Sequence, residues 1–237
     1  MSIMARFRPT RFLTAAALAA ACLMPPAFAA VDTPAVAADD ATTPWKAAFD
    51  AFATDDAAHP RPPGGVLFVG SSSIRLWNDL ENQFRNLPVV IKRGFGGSQL
   101  SDCVKHLNRL VVRYRPRTVL VYAGDNDLAA GTPPREVFRR FVAFVEGVHR
   151  ELPSTDIAYI SIKPSPSRIA LLPQVRETNA LIRAYADAEG KVDFIDVYTP
   201  MLDARGMPRA ELFRADALHL NADGYALWKG VIASYVH

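Results

Sequence analysis

Short apolar runs recur along this chain, and each is followed by a stretch whose apolar residues return at helical spacing. Val66 to Val69 is apolar without a break, the pattern of a short strand buried on both faces. From Ile74 the spacing changes to Ile74, Trp77, Leu80, which predicts a helix to about Phe84. Val89 to Ile91 reads as a second strand, followed by a helix to about Tyr114; Thr118 to Tyr122 reads as a third. Pro133 and Pro134 open the next helix, whose Val137, Phe141, Phe144, Val145 and Val148 share one face. Ile157 to Ile162 is strand four, a helix covers roughly 171 to 189, Val192 to Val197 is strand five, and 222 to 235 closes the chain as a helix. Five short strands alternating with helices predict a three-layer, doubly wound α/β sandwich around a five-stranded parallel sheet. Ligands in such folds bind beyond the carboxyl ends of the strands, so the residues that end these runs become the candidates for chemistry.

The residues before the first strand have a different character. Arg6, Arg8 and Arg11 precede an apolar run from Phe12 to Leu23, and Ala27-Phe28-Ala29 has the small-x-small form of a cleavage site. Residues 1–29 are therefore expected to be a secretory signal peptide, with no integral membrane segment left after its removal. Residues 30–63 are expected to be a lead-in: Ala30 to Thr43 has no periodicity, whereas Trp45, Phe49 and Phe52 suggest a short amphipathic helix ended by Pro60-Arg61-Pro62-Pro63. The folded domain is expected over 64–237.

Composition alters the picture in two ways. Without the three leader arginines, the whole-chain count of 27 Lys+Arg falls to 24, matching the 24 Asp+Glu, so the basicity belongs to the leader. Nucleic acid is not an expected partner. Of the two cysteines only Cys103 lies beyond the leader, which excludes an intramolecular disulfide in the mature chain. The scattered histidines and single thiol favour neither a metal site nor a cofactor.

Three strand ends and one later segment carry candidate chemistry. Gly70 ends the first strand and Ser71-Ser72-Ser73 follow on a tight turn into a helix, where a serine either caps the helix or is presented as a nucleophile. Arg93-Gly94-Phe95-Gly96-Gly97-Ser98 has Gln99 where a dinucleotide loop needs its third glycine; it is either a tight turn or a source of exposed N–H groups. Gly124-Asp125-Asn126-Asp127 is either a solvated turn or the site of a donor amide at Asn126. Among the five histidines, at 59, 106, 149, 219 and 237, only His219 combines an acid three residues before it, Asp216, with a place in a segment entering a helix. A carboxylate there can hold the imidazole in one tautomer, as serine hydrolysis requires, or the pair forms an ordinary cap and turn.

Together and in this order, the four blocks resemble the SGNH, or GDSL-type, hydrolase family, most of all its platelet-activating-factor-acetylhydrolase-like branch. The likeness spans roughly Val66 to Tyr225 and implies the flavodoxin-like fold of that family. It implies Ser72 as nucleophile, with Asp216 and His219 completing the catalytic set. The backbone N–H of Ser72 and Gly97 and the side-chain amide of Asn126 would form the oxyanion hole. Ser71 departs from the family's aspartate beside the nucleophile. The implied activity is that of an exported, periplasmic or secreted serine esterase, without cofactor. Its partner would be a small-molecule or glycan ester, with acetyl or another short acyl group on a carbohydrate or lipid-derived alcohol. The alternatives are a lysophospholipase or thioesterase, and a catalytically silent glycan-binding module on the same fold.

Overall fold

The computed structural model describes residues 43–236; the expected signal peptide and nearly all of the lead-in up to Thr43 lie outside them. The sheet contains β1 (Val66–Gly70), β2 (Val90–Gly94), β3 (Thr118–Tyr122), β4 (Asp156–Ile160) and β5 (Val192–Ile195). All pair in parallel, in the order β2-β1-β3-β4-β5. This is the expected doubly wound arrangement.

Period-2 alternation divides each strand between two cores. Leu67, Val69, Val119 and Val121 face one, together with Phe141, Phe144 and Val148 of α7 (Pro134–Glu151) and Val175 and Ile182 of α8 (Leu172–Ala188). Val66, Phe68, Leu120 and Tyr122 face the other, with Trp77 and with Tyr225, Trp228 and Ile232 of α9 (Ala222–Ile232). Helices thereby cover both faces of the sheet, which makes three layers.

Several element boundaries differ from the periodicity. The helix expected from Ile74 to Phe84 is two short turns, α2 (Ser72–Arg75) and α3 (Leu80–Gln83). The break lets Trp77 lie fully buried and stacked on Tyr225 at 5.1 Å, while its carbonyl accepts from Leu80 N–H at 3.3 Å and from Lys92 Nζ at 3.2 Å. The helix after β2 divides at His106 into α4 (Leu100–Lys105) and α5 (Leu107–Leu110), and the His106 ring packs 4.8 Å from Phe49. Strand β4 stops at Ile160 because the Asn179 side chain takes both polar groups of Ile162, accepting from its N–H at 2.9 Å and donating to its carbonyl at 3.0 Å. A side-chain amide thus replaces the neighbouring strand.

The amphipathic helix expected around Trp45 is α1 (Lys46–Ala58). It is fastened through Arg93, a β2 arginine only 2% exposed, whose guanidinium pairs with Asp55 and Asp56 of α1 and donates to Tyr114 Oη at 2.6 Å. A charge so buried requires this partnership, because an unpaired one would be strongly destabilising.

The chain leaves β1 for one edge through β2 and returns through β3 to the other side of β1. The carboxyl ends of β1 and β3 therefore flank the topological switch point. They meet closely there: Ser71 N–H donates to Tyr122 O at 3.0 Å, and a Cβ at Gly70, where φ is +138°, would lie 1.9 Å from that oxygen. Gly70→Ala is expected to destabilise the fold by about 3 kcal/mol or more, read from urea unfolding. A loss below ~1 kcal/mol would show that the two strand ends separate easily.

Candidate active site

Gly70 turns the chain sharply enough that α2 begins at Ser72 directly after β1, with Ser71 in extended conformation as the capping residue. Ser71 and Ser73 are buried, whereas Ser72 is half-buried and reaches solvent. The Ser71 side chain makes no capping hydrogen bond to the helix. The cap reading of the serine cluster therefore lacks its defining contact.

Asp216 and His219 come from the segment between β5 and α9. Asp216 Oδ1 accepts the N–H groups of Leu218 and His219, both at 2.9 Å, and its Oδ2 lies 2.7 Å from His219 Nδ1. Ala217 takes a left-handed conformation, φ +54°, to close this small loop. His219 Nε2 then lies 3.0 Å from Ser72 Oγ. The three side chains expected to act together are thus one hydrogen-bonded chain from carboxylate through imidazole to hydroxyl. Hydrogen bonds from the His219 backbone, the imidazole and the Leu218 backbone, in that order, hold the Asp216 carboxyl well below the usual range. Asp216 therefore stays ionised facing His219, although 47% of its side chain is exposed.

The loop between β2 and α4 packs directly on this turn. Phe95 N–H donates to Gly70 O at 2.8 Å, and a Cβ at Gly94 would lie 2.2 Å from Arg75 N. Gly97 is exposed, at φ +79°, with nothing within 4 Å of where a Cβ would stand. Among the described residues neither the Ser72 N–H nor the Gly97 N–H has an acceptor. Asn126 Nδ2 donates one hydrogen to Ser98 O at 3.0 Å, tying the third block to the second and leaving its other N–H.

What sequence reasoning missed is the group that holds Asn126. Arg168 Nη2 donates to Asn126 Oδ1 at 3.1 Å, which assigns the amide orientation. Its Nη1 pairs with Asp125, which is also bound by Lys163 Nζ at 2.8 Å. Burial opposes ionisation of Asp125, but Lys163 and Arg168 outweigh it and hold the carboxyl below its usual range. Asp127 is buried with a weaker counterweight. Desolvation raises its pKa despite Arg140 and the Leu100 N–H, the latter at 3.0 Å. Lys163 carries a legible signal, a charge directly after the run from Ile157 to Ile162; Arg168 stands 42 residues from Asn126 and no local pattern links them.

Burial, then Asp127 and Asp102, push the Cys103 thiol far up, so it does not compete as a nucleophile. Among the described residues no three His, Cys, Asp or Glu side chains are grouped to hold a metal ion. Likewise, no helix among them is long and apolar enough to cross a membrane.

The sequence profile of the GDSL-like lipase/acylhydrolase family matches residues 68–227. The chain belongs to this family. Solved structures of similar fold include a protein from Streptococcus pneumonia named for platelet activating factor, 22% identical. It aligns over 80% of this chain and 91% of its own, with a TM-score of 0.70. A GDSL-like lipase from Bacteroides thetaiotaomicron is 23% identical over 79% of this chain and 96% of its own, with a TM-score of 0.68. A carbohydrate esterase of family 3 from Talaromyces cellulolyticus is 16% identical over 73% of this chain and 95% of its own, with a TM-score of 0.59. No curated protein matches the chain. Family membership supports an ester-hydrolysing enzyme, and these neighbours share the α/β fold described above.

The Asp125 cluster makes a prediction about stability. Its pKa is depressed on folding, so its contribution is complete above the unfolded carboxylate range near pH 4 and fades as pH falls through the folded value. Lys163→Met should lower the melting temperature by several degrees at pH 7. The gap from wild type should narrow below pH 4, where protonation removes the charge that lost its partner. A gap unchanged from pH 7 to pH 3 would assign the loss to packing instead.

Proposed function

We propose that this protein is an exported serine esterase whose nucleophile is Ser72. The observation that carries the reading is the chain of hydrogen bonds from Asp216 through His219 to Ser72 Oγ, the last at 3.0 Å. Ser72 Oγ attacks the ester carbonyl while His219 Nε2 takes its proton, giving a tetrahedral oxyanion. The Ser72 and Gly97 N–H groups and the Asn126 amide receive the negative charge, and Asp216 stabilises the imidazolium. Collapse breaks the ester C–O bond, and His219 returns the proton to the departing alcohol. A water then attacks the acyl-serine, giving its proton to His219; release of the carboxylic acid restores Ser72 and neutral His219.

Export rests on the leader pattern of residues 1–29 and would deliver the enzyme to the periplasm or the medium. The substrate is proposed to be a short-acyl ester, most simply an acetyl ester, of a carbohydrate or lipid-derived alcohol. The exposure of Gly97 and Asp216 supports this, since a shallow site offers little apolar surface to a long chain. An acetyl esterase with a bound acetate ion and the Talaromyces carbohydrate esterase are among the structures of similar fold. The acetylhydrolase-like branch of the family remains our proposed placement for the chain.

Ser72→Ala should remove nearly all turnover of p-nitrophenyl acetate, on the order of 10⁶-fold in kcat, and abolish labelling by a fluorophosphonate while the protein stays folded. Labelling that persisted in the variant, or fell on Ser73 in the wild type, would reassign the nucleophile. A wild-type protein that neither labels nor turns over any ester would instead be a silent glycan-binding module. For the acyl group, kcat/KM on p-nitrophenyl esters should peak at acetate to butyrate. A steady rise beyond about eight carbons, by the roughly fourfold per CH₂ that ~0.8 kcal/mol of burial implies, would reveal a deep channel and a lipase or lysophospholipase.

A further inference from the structure

Helix α1 and the residue before it lie outside the segment that matches the family, yet one contact leads from them to the active site. Trp45 Nε1 donates to Gly96 O at 2.8 Å, across 51 positions of sequence. The Gly96 carbonyl belongs to the same planar peptide unit as the Gly97 N–H, and in a trans unit the two point in opposite directions. Holding the carbonyl from the α1 side therefore aims the Gly97 N–H away from it.

On its Gly97 side this peptide has little else to hold it: Gly97 takes φ +79° and nothing surrounds the place of its Cβ, so that torsion is unusually free, whereas at Gly96 the Arg75 guanidinium stands 2.8 Å from where a Cβ would lie. Trp45 is itself well fixed. Its ring meets Phe95 edge-on at 5.3 Å and His106 at 6.3 Å. The helix behind it is fastened by Asp56, which pairs with Arg93 and accepts from Tyr114 Oη at 2.7 Å. A hydrogen bond to a carbonyl also polarises its amide, which strengthens the N–H on the other side as a donor.

We propose that Trp45 is a positioning residue for ester hydrolysis: its indole N–H locks the Gly96-Gly97 peptide so that the Gly97 N–H faces the developing oxyanion. The inference rests on the oxyanion-hole reading above, and concerns a residue supplied by the N-terminal helix. Its effect belongs to the transition state, because the N–H gains most when charge appears on the oxygen.

The test is kinetic, on the full chain without its leader, with p-nitrophenyl acetate. Trp45→Phe keeps an aromatic ring against Phe95 and removes the donor; kcat should fall about tenfold with KM within twofold. Inhibition by a trifluoromethyl ketone, whose adduct carries the same oxyanion, should weaken by the same factor. Asn126→Ala serves as the companion, expected to lower kcat by roughly 10²–10³. A loss in Asn126→Ala with wild-type kcat in Trp45→Phe would overturn the role of Trp45 and leave the oxyanion hole standing. Wild-type kcat in both variants would overturn the oxyanion reading itself. A Trp45→Phe effect confined to KM or to melting temperature would make Trp45 merely structural. Should Trp45→Phe not fold, a benzothiophene analogue of tryptophan at position 45 preserves the shape and lacks only the N–H; unchanged kcat in that protein would equally overturn the proposal.

Discussion

The close contact between the ends of β1 and β3 is the constraint on which the rest depends. Gly70 passes so near Tyr122 O that no side chain fits between them, and the Ser71 N–H uses that same oxygen as its acceptor. With the two strand ends joined, the turn after Gly70 has one direction left, and it delivers Ser72 to the mouth of the switch point. The same contact sets the distance between the serine turn and the segment that begins at Gly124. Hydroxyl and Asn126 amide are therefore held by one junction of the sheet.

The remaining pieces are stitched to that junction by polar contacts that local propensity does not dictate. Phe95 N–H on Gly70 O draws in the glycine loop; Asn126 on Ser98 O ties that loop to the third block. Arg168 then joins Asn126 and Asp125 to the segment after β4, while Ser167 N–H on Ala217 O, at 3.0 Å, carries the link to the turn that presents His219. Each bond is worth only about 1 kcal/mol in net stability, but removing a partner from a buried member costs more. The network acts chiefly by restricting geometry, which is what a catalytic arrangement needs from its surroundings.

Much of the fold was legible because parallel strands buried on both faces must be apolar at successive positions. Val66 to Val69 and Thr118 to Tyr122 could hardly be anything else. The errors lie where a side chain took over a backbone duty. Asn179 ends β4 by imitating a strand, and Trp77 breaks a helix to enter the core. Neither act leaves a periodic trace. Of the proposed site residues, Ser72, Gly97, Asn126, Asp216 and His219 could be nominated from sequence because each stands in a short motif whose spacing has a chemical reason. Arg168 and Trp45 were not, since their partners lie 42 and 51 residues away and their own neighbourhoods look ordinary. Trp45 was legible only as one apolar position of an amphipathic helix.

That asymmetry follows from what each kind of residue must do. A reacting group must sit at a strand end or helix start and be flanked by residues that shape the turn, so its demands are written locally. A group that orients a reacting group needs only to arrive at the right place with a donor, and any element passing nearby can supply it. The orienting role can therefore be taken by elements the fold does not otherwise require. Helix α1 is such an element: the sheet is complete without it, yet the indole of Trp45, just before it, reaches the carbonyl of the peptide unit that carries the Gly97 N–H. On the proposed reading, the chemistry is shared between strand ends and the turn that leads into α9, and its precision depends partly on what is packed around them.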